Sequence, residues 1–189
     1  GRIGAADTIC SVLLATQTLV QPRPKTFCVR FEGACPTGVT PKDLILYLIG
    51  HIGAAGGTGY AMEYAGSAIQ ALDVEGRLTL CNLSIELGAK MGQVAPDDVT
   101  YQYLAGRPYA PRGAAWEQAL AHWRTLPSDS GAAFHRELTL DVARIAPQVT
   151  WGTSPEHVIA VDGRIPDPAA QQDAARQRAY TAALDYMGL

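Results

Sequence analysis

The chain has 189 residues, 48% of them apolar and 17% charged, with a formal net charge of −3 at pH 7. A chain of this length buries roughly 70% of the surface it exposes when unfolded, so it can build a core without disulfide or metal staples. The charge balance gives no electrostatic reason for a nucleic-acid or anionic-membrane partner. Cys10, Cys28, Cys35 and Cys81 form no Cys-x-x-Cys pair, which reads as reduced thiols in a cytoplasmic protein. No apolar run approaches the ~20 residues that cross a bilayer, and no signal peptide is visible. The first residue is Gly1, which suggests a processed chain or a piece of a longer one.

In chain order, residues 8–20, "TICSVLLATQTLV", predict an apolar helix that stops before the prolines of "QPRPK". Phe27, Val29 and Phe31 alternate with Cys28, Arg30 and Glu32, the pattern of a strand with one buried face. Thr40 as N-cap, Pro41 at the first position and Asp43 in the first turn then open a largely apolar helix. His51 lies in its last turn, where a structural role outweighs a ligand role. The glycine-rich stretch "GAAGGTGYAMEYAG" lacks both the dinucleotide fingerprint and the P-loop lysine. It is either a turn before a strand or a loop whose backbone approaches a substrate. Residues 94–113 read as a connection. Residues 114–126 predict an amphipathic helix with Trp116 and Trp123 in the core. Strands are expected at "RELTLDV" and "HVIAV", and a last helix from Asp167 and Pro168 to Tyr186, stopped by Gly188. Helices alternating with strands indicate an α/β or α+β class.

The segment "VEGRLTLCNLSIELGAK" raises the functional question. With Asp73 as cap, a helix is expected from Val74 to about Ala89. At ~100° per residue, Glu75, Thr79, Asn82 and Glu86 share one polar stripe. Val74, Leu78, Cys81 and Ile85 flank it on one side, and Leu80, Leu83 and Leu87 on the other. The opposite polar stripe holds Asp73, Arg77, Ser84 and Gly88. Two apolar walls imply burial on both sides, and an unpaired buried glutamate is expensive. Ser84 and Gly88 suit close packing, so Asn82 and Glu86, one turn apart, remain as a candidate polar site on a cleft. The alternative is a surface stripe at a domain edge.

The stretches "LATQTL", "GAAGGTGYAMEYAGSAI", "VEGRLTLCNLSIELGAKMGQVAPDD" and "PQVTWGTSP" occur in the order seen in one family. From about Leu14 to Leu189 the chain resembles the aconitase family, and within it the large subunits of isopropylmalate dehydratases. The resemblance implies a three-layer α/β/α fold, here incomplete. Residues 1–13 would be a divergent N-terminal segment. Residues 14–110 would form an aconitase-type domain carrying Asn82 and Glu86, and residues 111–189 a linker and the start of the next domain. It implies a hydro-lyase that converts 2-isopropylmalate to 3-isopropylmalate through an alkene, on the route to leucine. It also implies a [4Fe-4S] cluster, one iron of which acts as a Lewis acid on the hydroxy-acid substrate. Asn82 would hydrogen-bond at the cluster or substrate, and Glu86 would hold the departing hydroxyl or water. Gly57, Thr58 and Gly59 are candidate substrate contacts. The partners implied are the small subunit and the remainder of the large subunit.

The departures matter as much. The family's Gly-Ser-Cys-Thr-Asn and Cys-x-x-Cys cluster segments do not occur in this sequence, nor does its Asp-Ser-His-Thr segment. Tyr60 stands where the family often has histidine. Cys81 points away from the Asn82–Glu86 stripe and reads as a core thiol; Cys28 and Cys35 do not make a metal site. The chain alone is therefore expected to be inactive and, with apolar surface uncovered, to self-associate. Homoaconitase or another family hydro-lyase is one alternative function. A truncated, non-catalytic module that binds a small subunit is another.

Overall fold

The computed structural model describes residues 12, 14–18 and 21–189. Of the helix expected over 8–20, residues 12 and 14–16 are helical and the rest lie outside the described residues, as does Cys10. The fold is carried by a parallel sheet of β1 (Lys25–Glu32), β2 (Tyr60–Ala65), β3 (Met91–Val94) and β4 (Arg136–Asp141), in the order β3-β2-β1-β4. The alternation read in β1 holds in part: Phe27, Val29 and Phe31 are fully buried and Arg30 is exposed, but Cys28, on the other face, is fully buried as well. The register sets Met62 beside Phe27, Tyr64 beside Val29 and Leu140 beside Phe31, so one face of the sheet is apolar.

Two helices cover that face, α1 (Pro41–Ile52) and α3 (Val74–Leu83); the short α2 (Ser67–Gln70) lies between β2 and α3. Leu44, Ile45, Leu48 and Ile49 of α1 and Leu80 of α3 share one core with the strand residues. The opposite face presents Arg30, Gln93, Glu137 and Thr139 to solvent. A parallel sheet normally has both faces covered and reads as continuous apolar runs. Here the strands alternate. The class is α/β, and of the three layers expected the described residues supply the sheet and the helical layer on its apolar face.

Local chemistry explains where α1 begins. The Thr40 backbone N–H and hydroxyl both donate to one Asp43 carboxylate oxygen, at 2.7 and 2.6 Å. The Gln148 N–H donates to the other at 2.7 Å. Burial pushes the Asp43 carboxyl up, but these hydrogen bonds outweigh it and hold it below the usual carboxylate range. Asp43 thus caps α1 and ties it to β5 (Gln148–Thr150), which pairs antiparallel with β6 (Val158–Ala160). Trp151, Tyr180 and Ala183 form a second small core between this hairpin and α6 (Ala174–Met187). Gly188 stops α6 with φ +70°.

Several expectations are corrected. The connection at 94–113 contains α4 (Asp98–Leu104), capped by the Asp97 carboxylate, which accepts from Thr100 N–H at 3.3 Å. The prolines and glycines that flagged the stretch lie outside this helix. Strand β3 was not expected because only four residues enter the sheet. Trp116 and Trp123 are not core residues: α5 (Ala114–Trp123) buries none of its residues, and the two rings pack edge to face at 5.6 Å. The last helix starts at Ala174, because Pro168–Ala170 is a separate 3-10 turn. Strand β4 lies along β1, and Val142 and Ile145 enter the same core.

Gly66, with φ +101°, is where β2 turns into α2 directly over β1. A Cβ there would meet the Phe31 backbone, its nitrogen at 2.9 Å. Gly66→Ala is expected to lower stability by at least about 2 kcal/mol through strain and overpacking, read as a lower urea midpoint.

Candidate active-site wall

Asp73 caps α3 as expected, accepting from Gly76 N–H at 2.7 Å. The helix does not continue to Ala89. It ends at Leu83, tightens into a 3-10 turn over Ser84–Leu87, and closes on Gly88 at φ +75°. The turn is held from three directions. The buried Ser84 hydroxyl bonds the Leu80 carbonyl at 2.9 Å and the Tyr64 hydroxyl at 2.6 Å. Gly92 of β3 approaches so closely that a Cβ there would strike Ser84 and lie 2.9 Å from the Cys81 Cα. Gly57 N–H donates to the Leu87 carbonyl at 2.8 Å.

This arrangement reverses part of the sequence reading of the two stripes. Ser84 packs inward as expected, but so does Arg77 on the same stripe, only 4% exposed. Leu78 and Ile85, expected as a buried wall, are 57% and 60% exposed. Arg77 is fully employed. Its guanidinium donates to both Asp97 oxygens at 2.6 and 2.8 Å, to the Leu72 carbonyl at 3.1 Å and to the Gln70 carbonyl at 3.0 Å. Burial pushes the Asp97 carboxyl up, but the Arg77 hydrogen bonds and charge prevail and hold it below the usual range.

Asn82 is exposed and lines an open groove of about 630 Å³ with Glu75, Leu78, Cys81, Ile85 and Met91. Glu86 is exposed too, but lines a separate concavity of about 440 Å³ with Thr40, Lys42, Leu83 and Gln148. The separation follows from the turn. A 3-10 segment advances ~120° per residue instead of ~100°, so Glu86 swings off the line that a regular helix shares with Asn82. Cys81 is half-buried on the groove wall, not in the core, and burial pushes its thiol up.

The glycine loop lies against the same turn. Gly57 is buried and its N–H is taken by Leu87; Thr58 and Gly59 are exposed. A Cβ on Gly88 would sit 2.6 Å from the Thr58 hydroxyl, so loop and turn touch. His51 is exposed and stacks on Tyr47 at 6.1 Å, in keeping with a structural role.

Glu86 and this loop therefore lie at the amino-terminal ends of the strands. Open α/β sheets more often bind ligands at the carboxyl ends. There the sequence reading missed a crevice of about 380 Å³ lined by Arg30, Glu32, Glu63, Ser67 and Asp97. Its one legible signal was Gly66-Ser67 after a strand. The Ser67 N–H and hydroxyl both donate to Glu32, at 3.0 and 2.8 Å, which lowers the Glu32 carboxyl.

Ligation of an iron–sulfur cluster needs thiolates. Burial pushes the thiols of Cys28, Cys35 and Cys81 up, away from the thiolate form. Among the described residues no group of three or more His, Cys, Asp or Glu is placed to hold a metal ion. These residues do not fit as the cluster's ligands. Asn82 and Glu86 are oxygen and amide groups suited to a polar substrate. Among the described residues no helix is long and apolar enough to cross a membrane.

A parallel sheet with helices packed on it is consistent with an aconitase-type domain. Residues 3–189 match the aconitase family (aconitate hydratase), and the chain belongs to that family. Over 186 residues, 98% of the chain, it is 66% identical to the 3-isopropylmalate dehydratase large subunit 1 of Bradyrhizobium diazoefficiens. The chain spans 39% of the length of that relative.

Proposed function

We propose that this chain forms part of the active-site wall of a cytoplasmic hydro-lyase that isomerises 2-isopropylmalate to 3-isopropylmalate, by dehydration and rehydration, in leucine biosynthesis. The observation that carries the reading is the 66% identity, across 98% of the chain, to a protein named as the large subunit of that dehydratase. The exposed, unburied positions of Asn82 and Glu86 support it, since a wall completed by other segments must leave its polar groups open. The small subunit and the remainder of a large subunit would complete the pocket. A [4Fe-4S] cluster, ligated from outside these residues, would supply Lewis-acid activation of the hydroxyl.

In this reading the Asn82 amide donates a hydrogen bond to a substrate oxygen and so orients it. The Glu86 carboxylate accepts a hydrogen bond from the hydroxyl or water that leaves and returns. Thr58 and Gly59, beside the turn, would shape the substrate end, while Gly57 holds the turn.

The test is an assay of the complete large subunit carrying these residues, assembled with its small subunit. Formation of 3-isopropylmalate from 2-isopropylmalate is expected, with none from the isolated chain supplied with iron and sulfide. Turnover of homocitrate in place of 2-isopropylmalate would move the assignment to homoaconitase. Small-subunit binding with no turnover of either acid would make the chain a non-catalytic assembly module.

A further inference from the structure

We propose that Tyr64 is a positioning residue: through Ser84 its hydroxyl sets where α3 tightens into the 3-10 turn, and thereby the direction in which Glu86 leaves it. The inference rests on the reading of Glu86 as a reacting carboxylate.

The direction of the hydrogen bonds follows from proton counting. Ser84 has one hydroxyl proton, and the Leu80 carbonyl at 2.9 Å can only accept it. Tyr64 must therefore donate across the 2.6 Å contact. Burial pushes the Tyr64 phenol up, so it keeps the proton it donates. A serine bonded back to the carbonyl four residues earlier bends a helix, and this bend falls at the last turn of α3. Tyr64 stands on β2, an inner strand of the sheet, with its ring centroid 6.4 Å from that of Phe31, so the anchor is rigid. Gly92 on β3 presses Ser84 from the other side. Glu86 leaves the turn two residues after this grip. Ser84 lines neither open concavity, so its hydroxyl acts on Glu86 through the turn and not by contact.

The experiment uses the assembled dehydratase. In Tyr64→Phe the ring stays and only the hydroxyl is lost. kcat is expected to fall about tenfold with KM changed less than twofold, since small misplacements of a reacting group cost rate. In a Glu86→Gln background the same change should have no further effect. The double variant Tyr64→Phe/Ser84→Ala leaves no unpaired hydroxyl, so its thermal midpoint should return toward the parent value, while kcat stays low. Recovery of kcat with stability, an unchanged kcat in Tyr64→Phe, or additivity with Glu86→Gln would overturn the proposal. If Glu86→Gln itself retains full kcat, the catalytic reading of Glu86 falls instead. Amide exchange then decides the positioning alone: tenfold faster exchange at Gly88 and Ala89 in Tyr64→Phe upholds it, and unchanged exchange refutes it.

Discussion

Replacing Arg77 with alanine is expected to destabilise the fold by about 3 kcal/mol. Breaking a buried ion pair by deleting one partner costs about 3–5 kcal/mol, because the other charge is left without compensation. The lower end applies because the Asp97 side chain is 36% exposed. The loss is larger than an ordinary surface pair would give, since the guanidinium also holds the Leu72 and Gln70 carbonyls that close the turn into α3. Urea unfolding of the variant measures it. A change under about 0.5 kcal/mol, the range of surface substitutions, would contradict this account of the α3–α4 junction.

The same pair gives stability a pH dependence of definite sign. Asp97 and Asp43 both sit below their ordinary range in the folded chain. Their contribution is complete above the unfolded carboxylate value near ~3.9 and is lost as pH falls through the lower folded-state values. The urea midpoint should therefore fall on acidification below about pH 4, and Arg77→Ala should flatten that fall.

Glu86→Gln is expected to lower kcat of the assembled enzyme by about 10²–10³-fold, the range of a lost hydrogen-bonding group at the reacting atoms. Its cost in stability should stay within about 0.5 kcal/mol, because the side chain is exposed. Arg77 and Glu86 lie nine positions apart in the sequence, yet one change should be felt in folding and the other in rate. An Arg77→Ala protein that unfolds normally, or a Glu86→Gln enzyme with unimpaired kcat, would each remove one half of that contrast.

Much of the scaffold was legible before any coordinates. The alternation of Phe27, Val29 and Phe31, the Thr40-Pro41-Asp43 helix start, the Asp73 cap and the Gly188 stop all appear where expected. These are local signals: side-chain period, a carboxylate near backbone N–H groups, a glycine free to take positive φ. The family was legible too, from motif order. Strand β3 and helix α4 were not, because four residues show too little periodicity and the turn residues around α4 concealed it.

From the sequence alone came the α/β class, the candidate pair Asn82 and Glu86, and the capping of α1 and α3, because these depend on neighbours within a turn or two. Tertiary structure decided that Arg77 is buried, where α3 stops, and that Asn82 and Glu86 open onto separate concavities. Those outcomes are set by Tyr64, Gly92, Gly57 and Asp97, which reach α3 and its turn from other elements. No periodicity within 74–89 could reveal a hydroxyl arriving from β2, so helix geometry alone extended the helix one turn too far.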